Sequence, residues 1–242
     1  MNNKTIVVTG ANRGLGLETA RQLAEAGHRV VVAARSAEAA SKTAVDIGNG
    51  ASPLVLDVSD SASVQAAAER VRAEFGSVFG VVNNAGIIRE FGPEGPFAPS
   101  RVSLEAIEET YQTNLLGPIR VIQAFIPLLR AGGGGNIVNV SSGLGSLFNT
   151  ADDQWEYRHF NLLAYNSSKT ALNAVTIAFA KELAPDNIRV NSADPGYCAT
   201  DINGHTGVRS AAEGGRIAAR LATLESDGPT GGFFSDSGRV PW

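Results

Sequence analysis

Short β-rich apolar runs alternate with helical patterns along all 242 residues. The first run, Thr5 to Thr9 (TIVVT), is continuously apolar between its threonines, as a strand covered on both faces is. A helical pattern follows over residues 15–26 and stops at Gly27. The same alternation predicts further strands at 30–34, 53–56, 78–82, 136–140, 188–192 and 231–234. Ser36 is placed to cap a helix through 47, and Asp60 one to 75. Ser103 opens a longer helix over 103–130 with a kink expected at Pro118, and further helices are expected at 162–183 and 210–224. Strand–helix–strand repetition closes only with parallel strands and crossovers on both faces. The expectation is therefore an α/β chain: one doubly wound domain over 1–242 with about seven parallel strands. A ligand in such a sheet binds beyond the carboxyl ends of the strands.

Composition narrows the function classes. Glycine is in surplus, 27 residues, but without a three-residue period, so a collagen-like chain is excluded. Hydrophobic content of 43% beside 18% charged residues describes a globular chain. A net charge of −4 argues against a nucleic-acid partner, which needs clustered Lys and Arg. One cysteine, Cys198, and three histidines leave no disulfide and argue against a Cys/His metal site. No apolar run approaches the roughly 18 residues that a membrane span needs. Met1-Asn2-Asn3-Lys4 runs straight into the first strand, so no signal segment is expected and a cytoplasmic protein is.

The first strand–helix junction reads Thr9-Gly10-Ala11-Asn12-Arg13-Gly14-Leu15-Gly16. Glycines at 10, 14 and 16 allow a tight turn, and the free amides of a helix start favour a phosphate. At the end of the second strand stands Ala34-Arg35, with no carboxylate to take a ribose 2′-hydroxyl. Arg35, with Arg13 in the opposite loop, offers a guanidinium to a 2′-phosphate, which selects NADP(H) over NAD. The bland alternative is that both arginines are solvated.

Tyr165 and Lys169 stand at i and i+4, on one helical face. A phenol titrates near 10, and a neighbouring ammonium lowers that value, which suits the pair to proton transfer. Alone the pattern is weak. Ser142, after the fifth strand, lies at the same edge of the sheet and can donate to a carbonyl oxygen. Asn83-Asn84-Ala85-Gly86 closes the fourth strand there, and Asn114 sits inside the long helix, where asparagine is unfavourable.

With these motifs in this order, the chain resembles the short-chain dehydrogenase/reductase family, its carbonyl-reductase-like branch, over essentially its whole length. The resemblance rests on Thr9 to Gly16, Asp57-Val58, Asn83 to Gly86, Asn114, Ser142, Tyr165 with Lys169, and Pro195-Gly196 through Thr200. Asp194-Pro195-Gly196-Tyr197 and the ending Pro229 to Phe234 carry the branch. It implies a Rossmann-type domain that reduces a ketone or aldehyde with NADPH. It implies Tyr165 as general acid, Lys169 lowering its pKa and holding the nicotinamide ribose, Ser142 polarising the carbonyl, and Asn114 completing a proton relay. It implies cofactor contacts from Gly10, Asn12, Arg13, Gly14, Leu15 and Gly16, and from Arg35. Asp57 and Val58 would meet the adenine, Asn84, Ala85 and Gly86 the middle of the cofactor, and Pro195, Gly196 and Thr200 the nicotinamide.

Ser142 and Tyr165 are 23 positions apart, more than is usual in the family. The extra segment, about 147–160, carries Phe148, Trp155, Tyr157 and Phe160. It is expected to line the substrate pocket and favour a bulky or aromatic ketone, the alternative being a packed surface loop. A second loop, 197–212, matches the family's substrate loop. Relatives of this kind associate through the helices matching 103–130 and 162–183, while longer insertions accompany monomers, so homo-oligomer and monomer both stay open. Trp242 is free to dock on its own chain or a neighbour. A non-catalytic NADP(H)-binding regulator on the same fold is the alternative function. It would need none of Ser142, Tyr165 and Lys169. A serine hydrolase using Ser142 and His159 lacks the Gly-x-Ser-x-Gly elbow.

Overall fold

The computed structural model describes residues 3–92 and 95–242. Its strands are β1 (Thr5–Thr9), β2 (Arg29–Ala34), β3 (Ser52–Val55), β4 (Gly80–Asn83), a small antiparallel pair β5 (Phe91–Gly92) and β6 (Gly95–Pro96), β7 (Gly135–Val140), β8 (Ile188–Ala193), β9 (Phe233–Ser235) and β10 (Gly238–Arg239). The main sheet has the order β10-β9-β8-β7-β4-β1-β2-β3. Seven of its eight strands are parallel, as expected. The eighth, β10, was not foreseen and pairs antiparallel with β9 through only two register positions.

Each buried strand divides its side chains between two cores because successive residues point to opposite faces. From β1, Ile6 and Val8 enter one core and Val7 the other. The first core is covered by α1 (Gly14–Glu25), α2 (Ala37–Ile47) and α8 (Ala211–Ala222), through Leu23, Ile47, Ile217 and Leu221. The second is covered by α3 (Ser61–Phe75), α5 (Gly117–Ala131) and α7 (Leu163–Leu183), through Val64, Val71, Phe125 and Leu183. Two-sided cover explains why the strands read as apolar runs. Strand order reverses between β1 and β4, which opens a crevice beyond their carboxyl ends.

The expected caps form. Ser36 accepts from the Ala39 amide and Asp60 from Ala62. Ser103 caps α4 (Leu104–Tyr111), and Ser210 forms a reciprocal capping box with Glu213 on α8. Helix α7 begins at Leu162, which offers no side-chain cap.

The single helix expected over 103–130 is broken. A π turn, Gln112–Leu116, separates α4 from α5, with the Gly117 amide donating back to the Gln112 carbonyl. Two causes coincide there. Pro118 has no N–H for the Asn114 carbonyl four residues before it. The Asn114 side chain is held outside the helix, accepting from the Ile87 amide and donating to the Ile87 carbonyl, each at 2.9 Å. Pro118 therefore lies in the first turn of α5 rather than at a kink. A single-turn π bulge at such a position is a common mark of a functional site. Among the described residues no helix is long and apolar enough to cross a membrane.

Candidate active site

One cavity of about 1010 Å³ runs along the carboxyl edge of the sheet, from the glycine turn to the aromatic insertion. Its first part is the β1–α1 turn. Gly10 takes φ +61°, a left-handed conformation that a side chain would strain, and Asn84 clamps the turn by donating to the Thr9 and Gly10 carbonyls at 2.9 and 3.1 Å. Helix α1 starts at Arg13 with no side-chain cap, so its first amides are free for an anion. Gly10, Asn12, Arg13, Gly14 and Leu15 line the cavity. Gly16 does not. It is buried, and a Cβ there would fall 2.3 Å from Asn84 Nδ2 and 2.5 Å from the Gly10 carbonyl, so this glycine serves the close approach of helix and turn.

Arg35 leaves the end of β2 exposed at the rim, with Asp57 and Val58 beside it on the cavity wall. The Asp57 carboxyl is held below the usual range, chiefly by the Ser59 hydroxyl and, as a lesser cause, by Arg35. Arg13 is engaged across the cleft, 3.3 Å from Asp201 in the loop after β8. Asp201 also meets His205 Nε2 at 2.9 Å. Asn84, Ala85 and Gly86 form the middle of the wall, and Pro195, Gly196 and Thr200 the far side.

Ser142 follows β7, and Tyr165 and Lys169 project from α7 into the same cavity. The Ser142 hydroxyl stands beside the Tyr165 phenol, while its Oγ accepts from the Leu144 amide at 3.2 Å. Lys169, buried, donates Nζ to the Val140 carbonyl at 2.8 Å and lies 5.6 Å from the Tyr165 ring centroid. Burial pushes the phenol up to about 12, against a lowering by Ser142, with Asp194 raising it slightly more. Burial pushes the ammonium down to about 8. Burial is thus the dominant influence on the phenol in the unliganded site, and Ser142 its lowering contact. The unassisted site keeps Tyr165 protonated.

Asn114 does not line the cavity. It is fully buried on the π turn, and besides Ile87 it donates to Ser168 Oγ at 3.2 Å. A Cβ on Gly86 would stand 3.5 Å from Asn114 Oδ1 and 3.6 Å from Lys169 Nζ, so both side chains face the same glycine.

The insertion and the later loop meet over the site. Trp155 and Tyr157 pack edge to face at 5.6 Å, and Tyr157 and Phe160 approach Tyr197 at 5.8 and 5.2 Å. Trp155 also abuts Gly143, next to Ser142. Phe148, counted among the pocket aromatics from the sequence, points away instead and is 67% exposed. Its segment, α6 (Leu147–Thr150), is tied to the chain end, with the Phe148 amide donating to the Trp242 carbonyl at 3.0 Å. Trp242 docks on its own chain, stacked on Phe233 at 5.6 Å. Cys198 is a small packed residue whose thiol burial pushes up to about 11.

Asp194, which the sequence marks only as part of a motif, is a wall of the site. Its carboxylate accepts from the Gly196 amide at 3.0 Å and lies against Gly143, where a Cβ would stand 3.1 Å from Oδ2, so it sits between the loops after β7 and β8. Burial holds it above the usual carboxylate range. The signal was available: a polar residue ending a buried strand at the ligand edge.

Known proteins share this sequence pattern and fold. The family model described as short chain dehydrogenase matches residues 4–209. The short-chain dehydrogenase anuI of Penicillium roqueforti is 39% identical over 90% of this chain and 88% of its own. A (+)-neomenthol dehydrogenase of Arabidopsis thaliana is 35% identical, with 95% of each chain covered. The solved structure of an NADPH-bound carbonyl reductase from chicken fatty liver superposes with a TM-score of 0.86 at 27% identity, covering 100% of both chains.

Proposed function

The chain belongs to the short-chain dehydrogenase family, and from that premise we propose that it reduces a ketone or aldehyde carbonyl to an alcohol with NADPH. The observation that carries this reading is the juxtaposition of Ser142, Tyr165 and Lys169 on the wall of the cavity that begins at the uncapped start of α1.

The residues present fit a nicotinamide dinucleotide. The bare turn at Gly10, the free amides of α1 and the glycine gap at Gly86 beside Lys169 form a cradle that side chains would fill. Gly10, Asn12, Gly14 and Leu15 would hold the pyrophosphate, Asp57 and Val58 the adenine, Asn84, Ala85 and Gly86 the centre, and Pro195, Gly196 and Thr200 the nicotinamide end. Arg35, with Arg13, would take the 2′-phosphate. The missing carboxylate after β2 and the NADPH-bound chicken relative support that choice. When bound, the cofactor supplies hydride to the carbonyl carbon.

Tyr165 then donates its phenolic proton to the carbonyl oxygen, and Ser142 hydrogen-bonds the same oxygen and orients it. A phenol that burial keeps protonated is suited to reduction. Lys169 holds the nicotinamide ribose and returns a proton towards Tyr165, and Asn114, facing the same gap at Gly86, completes that route. Trp155, Tyr157, Phe160 and Tyr197 supply flat apolar walls, which supports a bulky or aromatic ketone. The test is loss of NADPH absorbance with a panel of aryl, cyclic and linear ketones. Absence of turnover with every member while NADPH still binds would favour a binding protein on the same fold.

A further inference from the structure

Helix α7 carries both Tyr165 and Lys169, yet Leu162 gives it no cap of its own. Its first amides are satisfied from 74 and 75 positions away. Glu90 is 0% exposed, and its two oxygens accept one amide each, Oε1 from Ala164 and Oε2 from Tyr165, both at 2.8 Å. The carboxylate sits on the positive end of the helix that holds the site's phenol.

Resting on the reductase reading above, we propose that Glu90 is a positioning residue of the reaction, fixing the backbone of Tyr165 against the wall of the substrate cavity. Two further contacts carry this beyond helix capping. The Tyr165 carbonyl accepts from Ser168 Oγ at 2.7 Å, and Ser168 Oγ accepts in turn from Asn114 Nδ2 at 3.2 Å. Asn114 also grips both backbone groups of Ile87. The Tyr165 main chain is therefore held on its N–H side by Glu90 and on its C=O side through Asn114, and both holds lead to one short segment, residues 87–90. That segment supplies Ile87, Ile88 and Arg89 to the cavity wall. The Glu90 carbonyl accepts from the Phe97 amide at 2.8 Å, which ties this segment to the chain just after β6.

A serine or aspartate beside Leu162 would cap α7 without burying a charge far from its own segment. It would not tie the phenol to the substrate wall. Glu90 does both, so a shift of this segment and a shift of the acid are the same movement. Misplacement of about 1 Å at a reacting group costs up to roughly 10²-fold in rate.

Glu90→Gln and Glu90→Ala test the proposal in the full chain. Gln keeps one acceptor and loses the other with the charge; Ala loses both. With tyrosine labelled by ¹⁵N, the chain's four tyrosines give four amide signals, and Tyr165→Phe identifies the one from Tyr165. That signal should move and exchange faster with solvent in Gln, and more so in Ala. Turnover should fall in the order wild type, Gln, Ala, by about tenfold or more for Ala, with KM for NADPH unchanged. A stationary Tyr165 amide overturns the proposal. So does a displaced amide with wild-type turnover, which would leave Glu90 a merely structural cap. Should Glu90→Ala not fold, Glu90→Gln carries both measurements. If the wild-type chain reduces no carbonyl, the reductase reading fails and the positioning role fails with it. The amide signal then reports separately whether Glu90 holds Tyr165.

Discussion

Lys169 donates Nζ to the Val140 carbonyl oxygen at 2.8 Å, inside the protein. Its pKa is about 8 folded, against an ordinary 10.5. Between those values the unfolded chain holds a proton that the folded chain lacks, so stability rises with pH across that window. Below about pH 8 the fold carries the whole cost of the buried ammonium, on the order of 3 kcal/mol. Lys169→Met removes that cost and loses one hydrogen bond of about 1 kcal/mol. The variant should melt a few degrees higher at pH 7, roughly 4–8 °C, while losing activity. The gap should close between pH 8 and 10.5 as the wild type gains stability. Parallel melting curves over that range would contradict the buried charge.

Tyr165→Phe keeps the ring and removes the acid. Turnover of a ketone should drop by roughly 10²–10⁴, the usual share of a general acid, while NADPH still binds by fluorescence titration. The phenol's raised pKa, about 12, also fixes a direction. Reduction should show no loss from phenol ionisation up to pH 10. Alcohol oxidation needs the phenolate and should rise about tenfold per pH unit below that pKa. Oxidation flat with pH would mean that Tyr165 is not the base.

Arg35→Asp tests the cofactor choice. A charge-assisted bond to a 2′-phosphate is worth about 1.5–3 kcal/mol, so kcat/KM for NADPH should fall by roughly 10–100-fold. The new carboxylate can accept a ribose 2′-hydroxyl, so preference should move toward NADH. Arg13→Ala should do less, since Arg13 already pairs with Asp201. An unchanged ratio for Arg35→Asp would put the phosphate elsewhere.

Gly16→Ala separates packing from binding. Alanine is the better helix former by about 1 kcal/mol. Here its Cβ would lie 2.5 Å from the Gly10 carbonyl, a backbone atom that cannot turn away, and 2.3 Å from Asn84 Nδ2. Overpacking of this kind costs about 1–3 kcal/mol. Calorimetry should show a lower Tm, and NADPH binding should weaken because the displaced turn is the one that forms the cradle. A Tm at or above wild type would show that the turn gives way freely.

The parts of the fold that the sequence specified are those set by local rules. Continuous apolar runs gave the parallel strands, and Ser36, Asp60, Ser103 and Ser210 stand where the helices start. What stayed hidden depends on contacts between distant segments. The π turn forms because Asn114 bonds Ile87, which no window around residue 114 contains. The raised pKa of Tyr165 follows from burial, which a residue spacing does not report. Glu90 belongs to no sequence motif, and only the fold brings its carboxylate under α7. Phe148 and Tyr157 share one aromatic segment, yet only the second faces the cavity.

Tyr157 bridges the two loops over the site, between Trp155 at 5.6 Å and Tyr197 at 5.8 Å. Aromatic pairs of this kind contribute about 0.5–1.5 kcal/mol beyond their buried area. Tyr157→Ala should therefore loosen the roof without touching Ser142, Tyr165 or Lys169. For bulky aryl ketones, the lost apolar contact should raise KM by about tenfold, the equivalent of roughly 1.4 kcal/mol. Small linear ketones touch less of the roof, and their KM should change little. Phe148→Ala is the internal control: its ring is outside the cavity, so the substrate profile should stay that of the wild type. Equal losses for large and small ketones in Tyr157→Ala would make the aromatic cluster a folding element. A changed profile in Phe148→Ala would place the substrate on the outer side of the insertion.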